Sequence, residues 1–554
     1  MRLKKFPYLP IFAALVVLSS CKKEDFVEYN TNPSTLYEIK PEEQFLNAGI
    51  QAHGQDFEQY YDNYRRINLW MQQATDVAGN GTVTLKTIGN FNYRYGVFYP
   101  GLGAILTDVQ ALIDKLPEAD KAKYEQIYAI ADIPKIYYAF YVSDINGSIP
   151  YTEAFKGRYG GTLTPKYETQ QQLFALWDQR LKEVVATLKK TPSTTQISLG
   201  NNDLYYRGAV AKWAKAAAAL RMRIAMRLLK RDPATATNIL KEVVADASNL
   251  MASEADSWIL KADVSFTSGG NWDPTGLRAP KPSVDFMWNQ NDPRLRNFYQ
   301  KNNYTQENLT TAIAAKIYPA GTTWNPRQYV GAPVSPDKVA LVKSWFTAKK
   351  VSDNLSLDTV SYLQYRMFQP AFGGGTGNSF FPLITYADQL LMRAELAARN
   401  ITTENAMTLY YAGIDASVSF YDNAAKDAKL ADYTPLTPAE LMAYKMAPAI
   451  VYNPAKALEQ IAIQQYLNFY KQPNEAWALY KRTGMPNSTT ALALEDIMIE
   501  GTLYQIPRRA AIMAPSSTDL NASNKEAAIN EMKKDSEFGT SIEDVYGRVW
   551  WDKK

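Results

Sequence analysis

Leu220-Arg221-Met222-Arg223-Ile224-Ala225-Met226-Arg227, followed closely by Asp232-Pro233-Ala234-Thr235-Ala236-Thr237-Asn238-Ile239-Leu240-Lys241-Glu242-Val243-Val244, decides the fold class. Asp232 stands where an N-cap is expected and Pro233 at the first helical position, where its missing N–H costs nothing. Ile239, Leu240, Val243, Val244, Ala247 and Leu250 then recur at helical spacing and form one apolar stripe. Two helices separated by a few residues predict an antiparallel hairpin.

The same pattern extends in both directions. Apolar residues recur with helical period over 124–142, 171–188, 209–229 and 234–250, and again over 383–399, 403–421, 438–446 and 455–470. Successive helices joined by short polar turns predict a mostly α protein, with tetratricopeptide-like hairpins forming a scaffold, although no clean 34-residue repeat is present.

Between the two helical blocks, about 262–336 reads as a loop-rich insertion dense in Gly, Pro, Asn and aromatic residues. Long loops on a rigid scaffold are where binding groups collect. The insertion carries Phe266, Trp272, Trp288, Tyr318, Trp324 and Tyr329 among Asn271, Asp273, Asn325 and Arg327. A second cluster holds Trp70, Gln72, Gln73, Asn90, Phe91, Asn92, Tyr93 and Tyr95. Aromatic platforms stack on sugar rings, and amides and charges hydrogen-bond hydroxyls. The candidate substrate-binding residues are therefore Trp70, Asn92, Tyr93, Trp272, Asp273, Trp324 and Arg327. The bland reading of any one of these aromatics is simple packing.

The N-terminus carries Arg2, Lys4 and Lys5, an apolar run from Phe6 to Leu18, then Ser19-Ser20-Cys21. That run is too short to span a bilayer but suits a secretory signal with small residues at the cut. No later segment of the sequence reads as a competing span. Residues 1–20 are read as a lipoprotein signal peptide, Cys21 as the lipidation site, 21–40 as a flexible tether and 41–554 as a single domain.

Composition then excludes much of enzymology. The chain has 554 residues, 46% of them hydrophobic, a net charge of +4, one Cys and one His. Three of those charges leave with the signal peptide, and a near-neutral surface argues against nucleic acid. One cysteine allows no internal disulfide, and His53, within the helix-like run 47–61, cannot build a zinc site by itself. Paired carboxylates for glycoside hydrolysis remain open. No cofactor is expected. Loop carboxylates such as Asp273 and Asp292 are candidates for structural calcium without any recognisable motif. What stands out is 37 Tyr, 11 Trp and 21 Phe.

Several strings, taken in order, resemble the SusD/RagB family of nutrient-binding outer-membrane lipoproteins of Bacteroidota. Behind the Ser-Ser-Cys signal come Tyr29-Asn30-Thr31-Asn32-Pro33 and Gly147-Ser148-Ile149-Pro150-Tyr151-Thr152-Glu153-Ala154-Phe155. Asn202-Asp203-Leu204-Tyr205-Tyr206, Lys212-Trp213, the arginine-rich helix and Asp292-Pro293-Arg294-Leu295 follow. The C-terminal half adds Pro382-Leu383-Ile384-Thr385-Tyr386-Ala387-Asp388, Glu475-Ala476-Trp477, Lys481-Arg482-Thr483-Gly484, Ile506-Pro507-Arg508-Arg509 and Trp550-Trp551-Asp552. Ala218-Ala219 and Asp388 depart from the usual residues at scaffold positions. Most of these motifs read as structural: Trp213 and Trp477 fill a core, and the arginines bridge helices.

The resemblance implies a lipid-anchored protein on the outer membrane, facing the exterior and seated over a SusC-like TonB-dependent transporter. It would capture an oligosaccharide or a peptide and deliver it to that barrel, without covalent chemistry. Two rivals carry other expectations. A tetratricopeptide-type adaptor would bind protein and ignore sugars, and a surface glycoside hydrolase would turn glycans over.

Overall fold

A computed structural model describes residues 39–53, 56–86, 88, 91–265, 272 and 274–554. Cys21, the signal peptide, the tether up to residue 38, Asn90 and Asp273 lie outside the described residues.

The chain is mostly helical, as expected from its apolar periodicity. In the first block, helices Glu125–Asn146, Gln170–Lys189, Val210–Arg227 and Pro233–Ala245 pack in sequence as antiparallel neighbours. Asp232 caps the last of them, its Oδ1 accepting the Thr235 N–H at 3.1 Å, and Pro233 occupies the first turn. That helix ends at Ala245 instead of reaching Leu250, and a short 3₁₀ turn, Ala247–Asn249, follows. In the second block, Tyr386–Ala398 packs along Ala406–Asp427 and against Ala457–Asn468. Leu383 does not open the first of these helices. It lies in strand Ser379–Ile384, and Thr385 starts the helix through a capping box with Asp388.

Each block has its own apolar core. Trp177, Trp213 and Trp258 fill the first, and Tyr410, Tyr421, Tyr466 and Trp477 the second. The ends of the chain cross over: Trp70 belongs to the C-terminal core and Trp551 to the N-terminal one. Strand Trp258–Ala262 pairs antiparallel with Ser379–Ile384 and ties the blocks together.

Between the cores lies a buried ionic network. Arg223 bonds Asp388 at 2.7 Å, while Arg227 bonds Glu475 at 2.6 Å and Asp144 at 3.1 Å. Burial alone would raise the Glu475 carboxyl, but Arg227 and Arg223 outweigh it and hold the group at about 2. The arginines of the opening sequence thus bridge helices, as expected from reading the family-like motifs as structural.

The insertion expected to be irregular is only partly so. Helices Lys281–Asn289, Leu295–Phe298 and Gln306–Ala314 lie within it. Short helices broken by Pro, Gly and Asn give too few turns for a period to register. The stretch Tyr93–Asp114 is long and apolar enough to cross a membrane by length and composition. It is broken by non-helical backbone at Gly101, and Phe98, Leu102, Leu106 and Val109 pack into the N-terminal core.

Gly147 shows why the Gly-Ser-Ile-Pro-Tyr string is structural. It ends helix Glu125–Asn146 with φ 80°, and a Cβ there would come within 2.5 Å of Met532 Sδ. Ile149 then exchanges two backbone hydrogen bonds with Glu168, at 3.2 and 3.0 Å.

Candidate functional site

Helix Pro41–His53 is followed by Glu58–Ile67, which winds with the wide i→i+5 pattern. Such π-helical turns are uncommon and recur at functional positions. The winding buries Asp62, Asn63, Tyr64 and Ile67 and leaves aromatic residues outside. Phe57 is 47% exposed and Tyr61 41% exposed, and Tyr93 from the next helix, Tyr93–Val97, is 38% exposed.

These three rings form a continuous surface. Tyr61 and Tyr93 stack with centroids 5.1 Å apart and planes 13° from parallel. Phe57 meets them edge-on at 5.7 and 6.0 Å. Tyr60 touches Tyr61 at 4.9 Å and carries the Arg65 guanidinium 4.7 Å above its ring.

The platform is held from behind. Asp62 Oδ2 accepts the Tyr93 backbone N–H at 2.8 Å. Burial, reinforced by neighbouring Glu58, pushes the Asp62 carboxyl up to about 8. Arg94 Nε donates to Glu58 at 2.6 Å, and its guanidinium lies 4.6 Å from the Tyr138 ring centre. Asn92 and Asn146 exchange side-chain hydrogen bonds at 2.8 and 3.0 Å, which fixes the start of the Tyr93 helix.

A narrow cleft of about 70 Å³ opens beside this surface, and its walls include Glu58, Gln59, Asn63, Arg94, Trp272 and Lys471. The Lys471 ammonium donates to the Met367 carbonyl and lies 4.6 Å from the Phe381 ring centre. Desolvation lowers its pKa to about 7. His53 also lines the cleft, its Nε2 sharing a 2.8 Å hydrogen bond with the Tyr205 hydroxyl. Burial, aided by Arg94, lowers this imidazole to about 3.

The candidate residues taken from sequence are not gathered in one place. Tyr93 is on the platform, Asn92 supports it and Trp272 walls the cleft. Trp70 requires a correction: it is buried, donates its indole N–H to Thr84 O at 3.0 Å, and has Phe91 and Trp477 against it. No ring face remains for a ligand. Trp272 is likewise buried, packed 5.4 Å from Phe381, so it shapes a wall and offers no open face. Trp324 is half-buried in a small separate cluster with Tyr304 and Leu309, its indole N–H bonded to Tyr304 O at 2.9 Å. Arg327 pairs with Asp285 at 2.7 Å and lies over Trp288, away from the cleft. Asp292, a candidate for calcium, is fully buried and spends both carboxylate oxygens on Arg294.

Phe57 and Tyr61 were missed. The run Phe57-Glu58-Gln59-Tyr60-Tyr61-Asp62-Asn63-Tyr64-Arg65 has the mixture of aromatic and polar residues sought elsewhere. Phe57 and Tyr61, four residues apart, fall on one helical face, and that spacing was the signal available; the sequence did not show that this face is left exposed and is joined by Tyr93.

Comparison with known proteins supports the same fold. A chitin-binding protein of known structure superposes with a TM-score of 0.70 at 20% identity, over 93% of this chain and 100% of its own. A SusD homologue from Bacteroides fragilis gives 0.65 at 23% identity, over 93% and 100%. A chitin-binding SusD homologue from Flavobacterium johnsoniae gives 0.63 at 20% identity, over 92% and 97%. No curated protein matches the sequence. The profile of the SusD-like family described as "Starch-binding associating with outer membrane" matches residues 33–510. With that match spanning most of its length, the chain belongs to the SusD-like family of outer-membrane-associated nutrient-binding proteins.

Proposed function

We propose that this protein is a surface-exposed lipoprotein, anchored through Cys21, that captures an oligosaccharide and hands it to a SusC-like TonB-dependent transporter. The observation that carries the reading is the exposed Phe57, Tyr61 and Tyr93 surface, braced by Asp62 and the Asn92–Asn146 pair. Sugar rings present flat C–H faces that stack on such rings, with a gain of about 0.5–1.5 kcal/mol for a favourable aromatic contact. Gln59 and Asn63 at the neighbouring cleft supply polar groups for hydroxyls. Covalent chemistry is not required, and Trp272 acts as a shaping wall.

The chitin-binding relatives make N-acetylglucosamine polymers the first candidates, and the family description adds starch. Peptide is the second reading, because a platform bordered by amides and charges also accepts peptide bonds. The test is a calorimetric screen of the soluble chain beginning after Cys21 against chitohexaose, maltohexaose, mannan and pectin fragments and mixed peptides. Saturable binding of one glycan, without its turnover, is expected. Binding of peptides alone, or hydrolysis of the glycan, would reverse the assignment.

A further inference from the structure

We propose a second carbohydrate-binding site, built around Trp288, that holds another pyranose unit of a polymer. It goes beyond the capture site and shares with that reading only the premise that the chain binds glycans. An open groove of about 590 Å³ runs past Trp288, Asn291, Lys301, Tyr329, Thr434 and Glu440. It has no lining residue in common with the cleft beside Tyr93.

Trp288 lies near the end of helix Lys281–Asn289 and is 43% exposed, although Val284, Phe286 and Met287 of the same helix are buried in the core. One face of the ring is covered by Arg327, which holds it in place and leaves the other face open. The Arg327 guanidinium lies 5.2 Å from its centre, and Arg327 is itself held by Asp285 at 2.7 Å and by Tyr329 O at 2.7 Å. Tyr329 adds a second ring, 6.4 Å away and tilted by 42°. Sugar sites need this kind of rigid aromatic corner, because an ordered ring loses little freedom on binding.

The polar groups around the corner are of two kinds. Arg296 and Glu440 neutralise each other in a two-point ion pair, as do Arg327 and Asp285 in a single contact. The exposed Asn291 amide and Lys301 ammonium, by contrast, make no side-chain hydrogen bond or ion pair among the described residues and remain available to hydroxyls. An indole face beside an unspent amide and ammonium is complementary to a pyranose ring, with its apolar face and its rim of hydroxyls.

The test uses native gels containing soluble starch, glycol chitin, galactomannan or polygalacturonate. Trp288→Ala, Tyr61→Ala/Tyr93→Ala and the triple variant are run beside the unaltered protein, with melting curves as a check on folding. At least one polymer is expected to retard the unaltered protein. Trp288→Ala should weaken that retention about three- to tenfold, and Trp288→Phe should retain most of it. The Tyr61/Tyr93 variant should keep a residual retention that the triple variant loses. Retention unaffected by Trp288→Ala in both backgrounds overturns the second site and leaves the first intact. No retention of the unaltered protein by any polymer overturns both.

Discussion

Tyr61 and Tyr93 are exposed because the residues between and beneath them are spent elsewhere: Asp62 on the Tyr93 backbone, Glu58 on Arg94, Asn92 on Asn146. Removing one ring therefore takes away stacking surface without opening the core. Tyr61→Ala should weaken glycan affinity about three- to tenfold, as measured by calorimetry, with an unchanged melting temperature. At this scale the sequence was legible for chemistry and illegible for exposure. It named Tyr93 and the aromatic-plus-amide composition, but Trp70 and Trp272 have the same composition around them and face inward. Which side of a wall a ring occupies depends on distant partners such as Trp477 and Phe381. His53 makes a second residue-scale prediction. Its folded pKa, lowered to about 3 by burial and Arg94, lies below the unfolded value of 6.5. The unfolded chain therefore takes up a proton first, and stability falls as pH drops from 6.5 toward 3. His53→Gln should remove about 2 kcal/mol of the loss between pH 6.5 and 5 in denaturant titrations, at about 1.4 kcal/mol per pH unit. An unaltered slope would place the imidazole in water.

At the scale of elements, the long helices were legible because their apolar residues recur at helical spacing, whether one face is buried, as in Gln170–Lys189, or nearly the whole helix is, as in Glu125–Asn146. The Asp232-Pro233 start is visible in sequence and is realised as a side-chain cap. Asp232→Ala should cost about 1 kcal/mol in urea denaturation. The short helices within 262–336 and the π-helical turn were not legible, since both escape the 3.6-residue period on which the reading rests. The Arg223, Arg227, Glu475, Asp388 and Asp144 network joins elements far apart in sequence. Its arginines were assigned a bridging role, whereas their partners emerge only in three dimensions. Glu475→Ala leaves two buried guanidinium groups short of a counter-charge and should destabilise the protein by about 3–5 kcal/mol in the same assay. A loss under 1 kcal/mol would mean that water reaches the network.

For the whole molecule, the two-block helical plan and the family were readable from strings in order. The crossing of chain ends, with Trp70 in one core and Trp551 in the other, was not, because nothing in the local sequence of either tryptophan says which core it enters. The crossing predicts that the two blocks unfold together, in a single thermal transition. Cys21→Ala should release the protein from the membrane fraction while leaving its fold and glycan affinity intact. The central claim is that the exposed rings of Phe57, Tyr61 and Tyr93 capture a glycan. Its most direct test is calorimetric titration of the soluble chain and its Tyr61→Ala/Tyr93→Ala variant with whichever oligosaccharide binds from the screen. A loss of affinity of tenfold or more at unchanged melting temperature is predicted; equal affinity in the two proteins would contradict the account.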